Sequence, residues 1–245
     1  MIKEIEVFLS AGSFDEEELR GKTAVVIDVL RASSTIATAI YNNAKGVIPV
    51  ASTADANKII QSLNSTDYLL CGERDGVKIE GYDLGNSPLD YTPDTVGGKT
   101  IIINTTNGTK ALMRCSPAAE VMIGCFLNMN SLTEILRQKE EVVLICSGWR
   151  GRLSFEDLLC AGNIIYELTE GVLPGNARDG AKVAVALYEK FGKDLEGAVR
   201  NSNHASRLKG IVEVEDISFC CNVNTMDVLP IMNEGMITDF HGKKT

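Results

Sequence analysis

Short apolar runs, each followed by a segment with helical spacing, recur along almost the whole chain. That rhythm restricts the fold more than any other feature. Candidate strands lie at 3–8, 23–29, 47–50, 68–71, 100–104, 120–124, 142–146 and 216–221. Candidate helices lie at 33–43, 53–63, 109–115, 129–138, 155–169, 179–191 and 193–201. Strands that alternate with helices predict the α/β class, a mostly parallel sheet with helices on both faces. No internal repeat, low-complexity tract or linker interrupts the alternation, and residues 1–245 are read as one domain. The polar stretch 72–98 is the one large irregular insertion, of a length that is usually functional or disordered. The region 172–210 is helical in pattern and compatible with a cap or subdomain.

Charge and cysteine content narrow the function classes. The net charge is −9 and the sequence has no block of Lys or Arg, which argues against nucleic acid and anionic membrane as partners. No run approaches the ~20 apolar residues of a membrane span. The N-terminal stretch has no signal-peptide core, so a cytoplasmic enzyme is expected. The seven cysteines are odd in number, irregularly spaced and without a C-x-x-C, which reads as free thiols rather than a disulfide frame or a zinc site. With His204 and His241 as the two histidines, imidazole chemistry has little material.

In open α/β sheets ligands bind beyond the carboxyl ends of the strands, which is where the chemistry is expected. "VVIDVLRASSTIATAI" (25–40) ends a strand at Asp28, and Arg31, Ser33, Ser34 and Thr35 follow at the start of a helix. Helix N-termini attract phosphate, and hydroxyls and an arginine add donors. The structural alternative is that Ser33 caps the helix and Asp28 pairs with Arg31. "TIIINTTNGTKAL" (100–112) repeats the pattern with Asn104, Thr105, Thr106, Asn107, Gly108 and Thr109, where the glycine permits close approach. "VVLICSGWRGRLSFEDLLCAG" (142–162) places Arg150 and Arg152 in a glycine loop and suits anion binding. There Ser154 and Asp157 also fit a capping box. Glu73 follows "YLLC" as Asp28 follows its own strand. Neither the Walker nor the dinucleotide fingerprint occurs. Oxygen-rich, histidine-poor carboxylates suit Mg²⁺, with Asp28, Glu73, Glu156 and Asp157 as candidate ligands. A divalent ion and a phosphate together suggest phosphoryl transfer.

The motifs "DVLRASST", "GERDG", "GYDLGNSP", "NTTNGTKAL" and "CSGWRGRLSFEDLLCAG" together resemble the 2-phosphosulfolactate phosphatase family of coenzyme M biosynthesis, over about residues 3–240. The resemblance implies a three-layer α/β/α sandwich with a mostly parallel or mixed sheet. It also implies a Mg²⁺-dependent hydrolase that converts 2-phospho-3-sulfolactate to sulfolactate and phosphate. The expected partner is a small anion of that kind or a related 2-phosphohydroxy acid, and a homodimer is left open. On this reading Asp28, Arg31 and Glu73 are catalytic, with Asp28 either a nucleophile or a metal ligand. The two hydroxyl-rich turns with Arg150 and Arg152 hold the substrate. Two alternatives are a metal-free cysteine phosphatase, from the C-x5-R spacing of Cys146 and Arg152, and a non-catalytic anion-binding protein.

Overall fold

A computed structural model describes residues 2–211 and 214–240. Its strands are β1 (Glu4–Phe8), β2 (Thr23–Ile27), β3 (Gly46–Pro49), β4 (Tyr68–Arg74), β5 (Val77–Lys78), β6 (Thr100–Asn104), β7 (Glu120–Gly124), β8 (Glu141–Cys146), β9 (Pro230–Asn233) and β10 (Met236–Asp239). Its helices are α1 (Ala32–Tyr41), α2 (Thr53–Ile60), α3 (Pro93–Val96), α4 (Gly108–Arg114), α5 (Met129–Leu136), α6 (Phe155–Thr169), α7 (Asp179–Phe191), α8 (Leu195–Arg200), α9 (Asn203–Leu208) and α10 (Val214–Cys220). No helix among the described residues is long and apolar enough to cross a membrane.

The described strands form one mixed sheet in the order β1-β8-β2-β7-β9-β10-β3-β6-β4-β5. Two parallel blocks, β1-β8-β2-β7 and β3-β6-β4, are joined through the antiparallel hairpin β9–β10. That hairpin turns through Glu234 and Gly235, both at positive φ, as a two-residue type I′ turn requires. Side-chain alternation then sorts the layers. Val25, Ile27, Met122 and Leu144 face α5, α6 and α7, whereas Ala24, Val26, Ile123 and Ile145 face α1 and α4. From the second block, Val47, Ile101 and Ile103 face that same α1–α4 cluster, and Ile102 faces α2. The result is α/β/α layering in which both blocks turn a face toward α1.

Enclosure shapes α1 itself. Residues 32–40 are all buried, so this helix meets solvent only at its last residue, Tyr41. Its hydroxyls must find partners inside: Ser33 donates to the Val26 carbonyl, Ser34 to Val29, Thr35 to Asn86 and Thr38 to Ser34.

Two expectations about elements are corrected. The run at 216–221 belongs to a helix, α10, which buries Asp216, Ile217 and Cys220 toward the core. A short apolar run carries no period of its own, and its neighbours decided it. The segment 72–98 is not irregular throughout. It holds the end of β4, the β4–β5 hairpin turning at Asp75 and Gly76, a 3₁₀ turn at Pro88–Asp90, and α3. The helices of 172–210 pack on the rest of the chain, with α7 against α6 and β1, and Ala181, Ala184, Val199, Ala205 and Leu208 in the first core cluster.

Candidate active site

Strand ends from both blocks converge on one small cavity of ≈ 20 Å³, lined by Asp28, Leu30, Arg31, Glu73, Gly76, Asn86, Thr105, Thr106, Asn107, His204, Arg207 and Leu208. Asp28 follows β2 directly and is buried. Its Oδ1 accepts the Ala32 amide at 3.3 Å, and its backbone N–H donates to Ser33 Oγ at 2.9 Å. A Cβ at residue 108 would stand 2.8 Å from Asp28 Oδ2 and 2.5 Å from the Ala32 side chain. Gly108 therefore permits close approach as expected, but the partner is Asp28 and the start of α1.

Glu73 ties β4 to the turn after β6. Its Oε1 accepts the Thr106 amide at 2.6 Å, and its Oε2 accepts the Gly76 amide at 2.6 Å and the Thr106 hydroxyl at 3.0 Å. Thr105 and Thr109 bond each other across the first turn of α4. Asn104 is fully buried at the end of β6, and Asn107 stands at the cavity wall without capping α4.

Arg31 lies at the cavity with its guanidinium buried. Nη1 pairs with Asp216 at 2.6 Å, and Nη2 donates to the Gly76 carbonyl at 3.4 Å. The Leu30–Arg31 peptide is cis. The alternative in which Asp28 pairs with Arg31 is not formed: Arg31 pairs with Asp216, and Ser87 donates to the other Asp216 oxygen at 2.5 Å.

The third turn divides its residues. Ser154 caps α6 as its spacing predicts, accepting the Asp157 amide. Asp157 is a clasp: Oδ1 accepts the Val29 amide at 2.9 Å and Oδ2 the Gly148 amide at 3.1 Å, so it fastens the turn after β2 to the turn after β8. Glu156, fully buried, bonds His204 Nδ1 at 2.6 Å and among the described residues has no partner on Oε2. Trp149 and Arg152 pair through their backbones around Arg150 and Gly151, both at positive φ. This tight tip leaves Arg152 exposed and sets Arg150 over the Trp149 ring and 3.3 Å from Asp75. Neither arginine lines the cavity.

Residues that sequence reasoning passed over complete the wall. His204 stacks on Trp149 with ring centroids 6.0 Å apart. Arg207 sits over the same ring, donates to the Asp75 carbonyl and lies 3.4 Å from His204 Nε2. One of the two histidines that offered imidazole chemistry so little material thus stands at the cavity wall. The signal was present in "SNHASRL": Ser202 caps α9, and His204 and Arg207, three apart, share a helix face.

The electrostatics follow from enclosure. Burial pushes Asp28 up to about 6, with Glu73 and Glu156 adding to the rise and His204 and the Ala32 amide opposing it. Burial, then the charges of Asp28 and Glu156, push Asp157 well above the usual carboxylate range. Burial also acts to raise Glu156, but the hydrogen bond and charge of His204 outweigh it and hold Glu156 low. Cys146 is buried, and burial followed by Asp157 and Glu156 drives its thiol well up, the reverse of what a nucleophilic thiolate needs.

Of the four candidate metal ligands, Asp28 and Glu73 line the cavity, while Glu156 and Asp157 are engaged behind it. Among the described residues no group of three or more His, Cys, Asp or Glu is arranged to hold a metal ion. Mg²⁺ nevertheless fits the donors present, because it commonly takes one or two carboxylates and completes its shell with water and phosphate oxygens. Among the described residues nothing donates to Asp28 Oδ2.

Fold and cavity together define an α/β protein whose strand ends gather carboxylates and arginines around a small polar site suited to an anion. The profile of the family described as 2-phosphosulpholactate phosphatase matches residues 9–235. A "Probable 2-phosphosulfolactate phosphatase" of Clostridium perfringens is 41% identical over 236 residues, 95% of each chain. One from Caldanaerobacter subterraneus subsp. tengcongensis is 38% identical over 234 residues, 95% of this chain and 97% of the relative. One from Thermotoga petrophila is 40% identical over 215 residues, 88% and 91%. The chain belongs to the 2-phosphosulfolactate phosphatase family, and with it to the phosphoric monoester hydrolases.

Proposed function

We propose that this phosphatase hydrolyses 2-phospho-3-sulfolactate, or a closely related 2-phosphohydroxy acid, to the hydroxy acid and phosphate, and that it uses Mg²⁺. The observation that carries the reading is the convergence of Asp28 and Glu73 with Arg31 and Arg207 on one cavity. The two carboxylates would hold the metal, which when bound supplies positive charge to the phosphoryl oxygens. Arg31 and Arg207 add donors to the same oxygens, and the Asp216 contact keeps the Arg31 fork in place. At ≈ 20 Å³ the cavity has room for about one water, so ester binding widens it. The acid end of the substrate then lies outside, toward Trp149, Arg150 and Arg152. The family name and those of the relatives support the substrate, and the repulsion among Asp28, Asp157 and Glu156 supports a cation partner.

Phosphate release from phosphosulfolactate, phospholactate and an aryl phosphate, each with EDTA and with Mg²⁺ restored, tests both parts. Phosphosulfolactate should give the highest kcat/KM, and EDTA should abolish turnover reversibly. Full activity in EDTA would remove the metal, and equal kcat/KM for all three esters would remove the substrate assignment.

A further inference from the structure

His204 is buried at the cavity wall, held on two sides and facing Arg207 on the third. Glu156, without solvent exposure, fixes Nδ1 at 2.6 Å, and Trp149 stacks on the ring with planes 15° apart. A hydrogen bond from Nδ1–H to a buried carboxylate leaves Nε2 as the outward ring nitrogen, and here Nε2 faces Arg207, which lines the cavity together with His204. The protein neighbour of Nε2 is Arg207 Nη2 at 3.4 Å. An arginine only donates, so it cannot satisfy Nε2–H on the protonated ring. Among the described residues Arg207 Nε is itself buried without a partner. When the ring carries both protons, two donors stand side by side at the cavity wall and take an acceptor supplied from the cavity.

We propose that His204 is the general acid of the phosphatase reaction, delivering the Nε2 proton to the ester oxygen as the P–O bond breaks, with Glu156 as its positioning residue and Arg207 binding the same phosphoryl group. The proton converts the departing alkoxide to the alcohol. Water supplies the new oxygen on phosphorus, and the proton it releases restores the imidazolium. Ester and water thus become alcohol and phosphate, with the enzyme unchanged. Loss of a proton-transfer group costs ~10²–10⁴-fold where the leaving group needs the proton. The inference rests on membership of the phosphoric monoester hydrolases and not on the particular substrate proposed above.

The test compares leaving groups. His204→Gln should lower kcat by ~10²–10⁴-fold on an alkyl ester such as phospholactate or phosphosulfolactate. On p-nitrophenyl phosphate, whose phenolate departs without a proton, the loss should be at least about tenfold smaller. Glu156→Gln should lower kcat on the alkyl ester by about 10–100-fold with KM little changed, as expected for one charge-assisted hydrogen bond. Equal losses on both ester types would overturn the proposal. If His204→Gln does not fold, wild-type kcat/KM across aryl phosphates of rising leaving-group basicity decides. A flat dependence supports proton delivery and a steep one overturns it. If phosphosulfolactate is not a substrate but other monoesters are, the substrate assignment fails while this comparison proceeds on the esters that react.

Discussion

The turns after β2 and after β8 begin alike, and the fold treats them oppositely. Each follows a central parallel strand, leads into a helix, and carries arginine, hydroxyl and carboxylate. After β2 the helix is enclosed between the two blocks. Its hydroxyls close on backbone carbonyls, and Asp28 and Arg31 reach the cavity. After β8 the turn projects outward. Its arginines stand at the surface, and its carboxylates turn inward, Asp157 to fasten the two turns and Glu156 to hold His204. Position at a strand end therefore does not make a carboxylate catalytic. What matters is whether the carboxylate reaches the cavity, as Asp28 and Glu73 do and Asp157 and Glu156 do not.

The largest effect expected from this contrast is at Asp28. Asp28→Asn should lower kcat by far more than ~100-fold, above the lower range for one proton-transfer group. The same change should stabilise the fold at alkaline pH, and the sign follows from linkage. Burial raises Asp28 from 3.8 to about 6, so the folded state holds its proton more tightly than the unfolded state. The stability this contributes is complete below 3.8 and is lost as pH rises through about 6. Asparagine carries no such loss. In metal-free protein its melting temperature should exceed that of the wild type by more at pH 8 than at pH 4, by about 2–4 °C for each kcal/mol in a chain of this size. A variant with normal turnover would erase the distinction between the turns.

Asp157→Ala should act chiefly on stability. It leaves the buried Val29 and Gly148 amides without acceptors, at about 1–3 kcal/mol each. Thermal unfolding should shift down accordingly, and Asp157→Asn should recover part of the loss through its one carbonyl. Activity lost without any change in melting would instead place Asp157 in the chemistry.

The smallest effect is expected at Arg152, exposed on the tip after β8. Arg152→Ala should raise KM for phosphosulfolactate by no more than about tenfold, within the range of one charged hydrogen bond, and leave kcat unchanged. Phospholactate kinetics serve as the control, since an arginine facing the sulfonate should not affect that ester. A fall in kcat would bring Arg152 to the phosphoryl group and make the two turns functionally alike.

The alternation of apolar runs with helical spacing determined the α/β class and seven of the strands, because burial on both faces leaves a mark within a few residues. Asp28 and Glu73 were likewise legible as carboxylates closing apolar strands, Ser154 as a cap, and the family from ordered motifs. Three things were decided only in the tertiary structure. The run at 216–221 became helix because its side chains meet the core on one side, which no short window records. Ser33, Ser34 and Thr35 turned from the cavity because α1 is covered by both halves of the sheet and buried hydroxyls must be satisfied. His204, Arg207 and Asp216, far along the chain from Asp28, joined the site because α9 and α10 pack over the strand ends, bringing Arg31 to Asp216 across 185 residues and His204 to Glu156 across 48. Local patterns follow from backbone period and burial. Which charges face one another depends on contacts between distant segments, and only the folded chain supplies those.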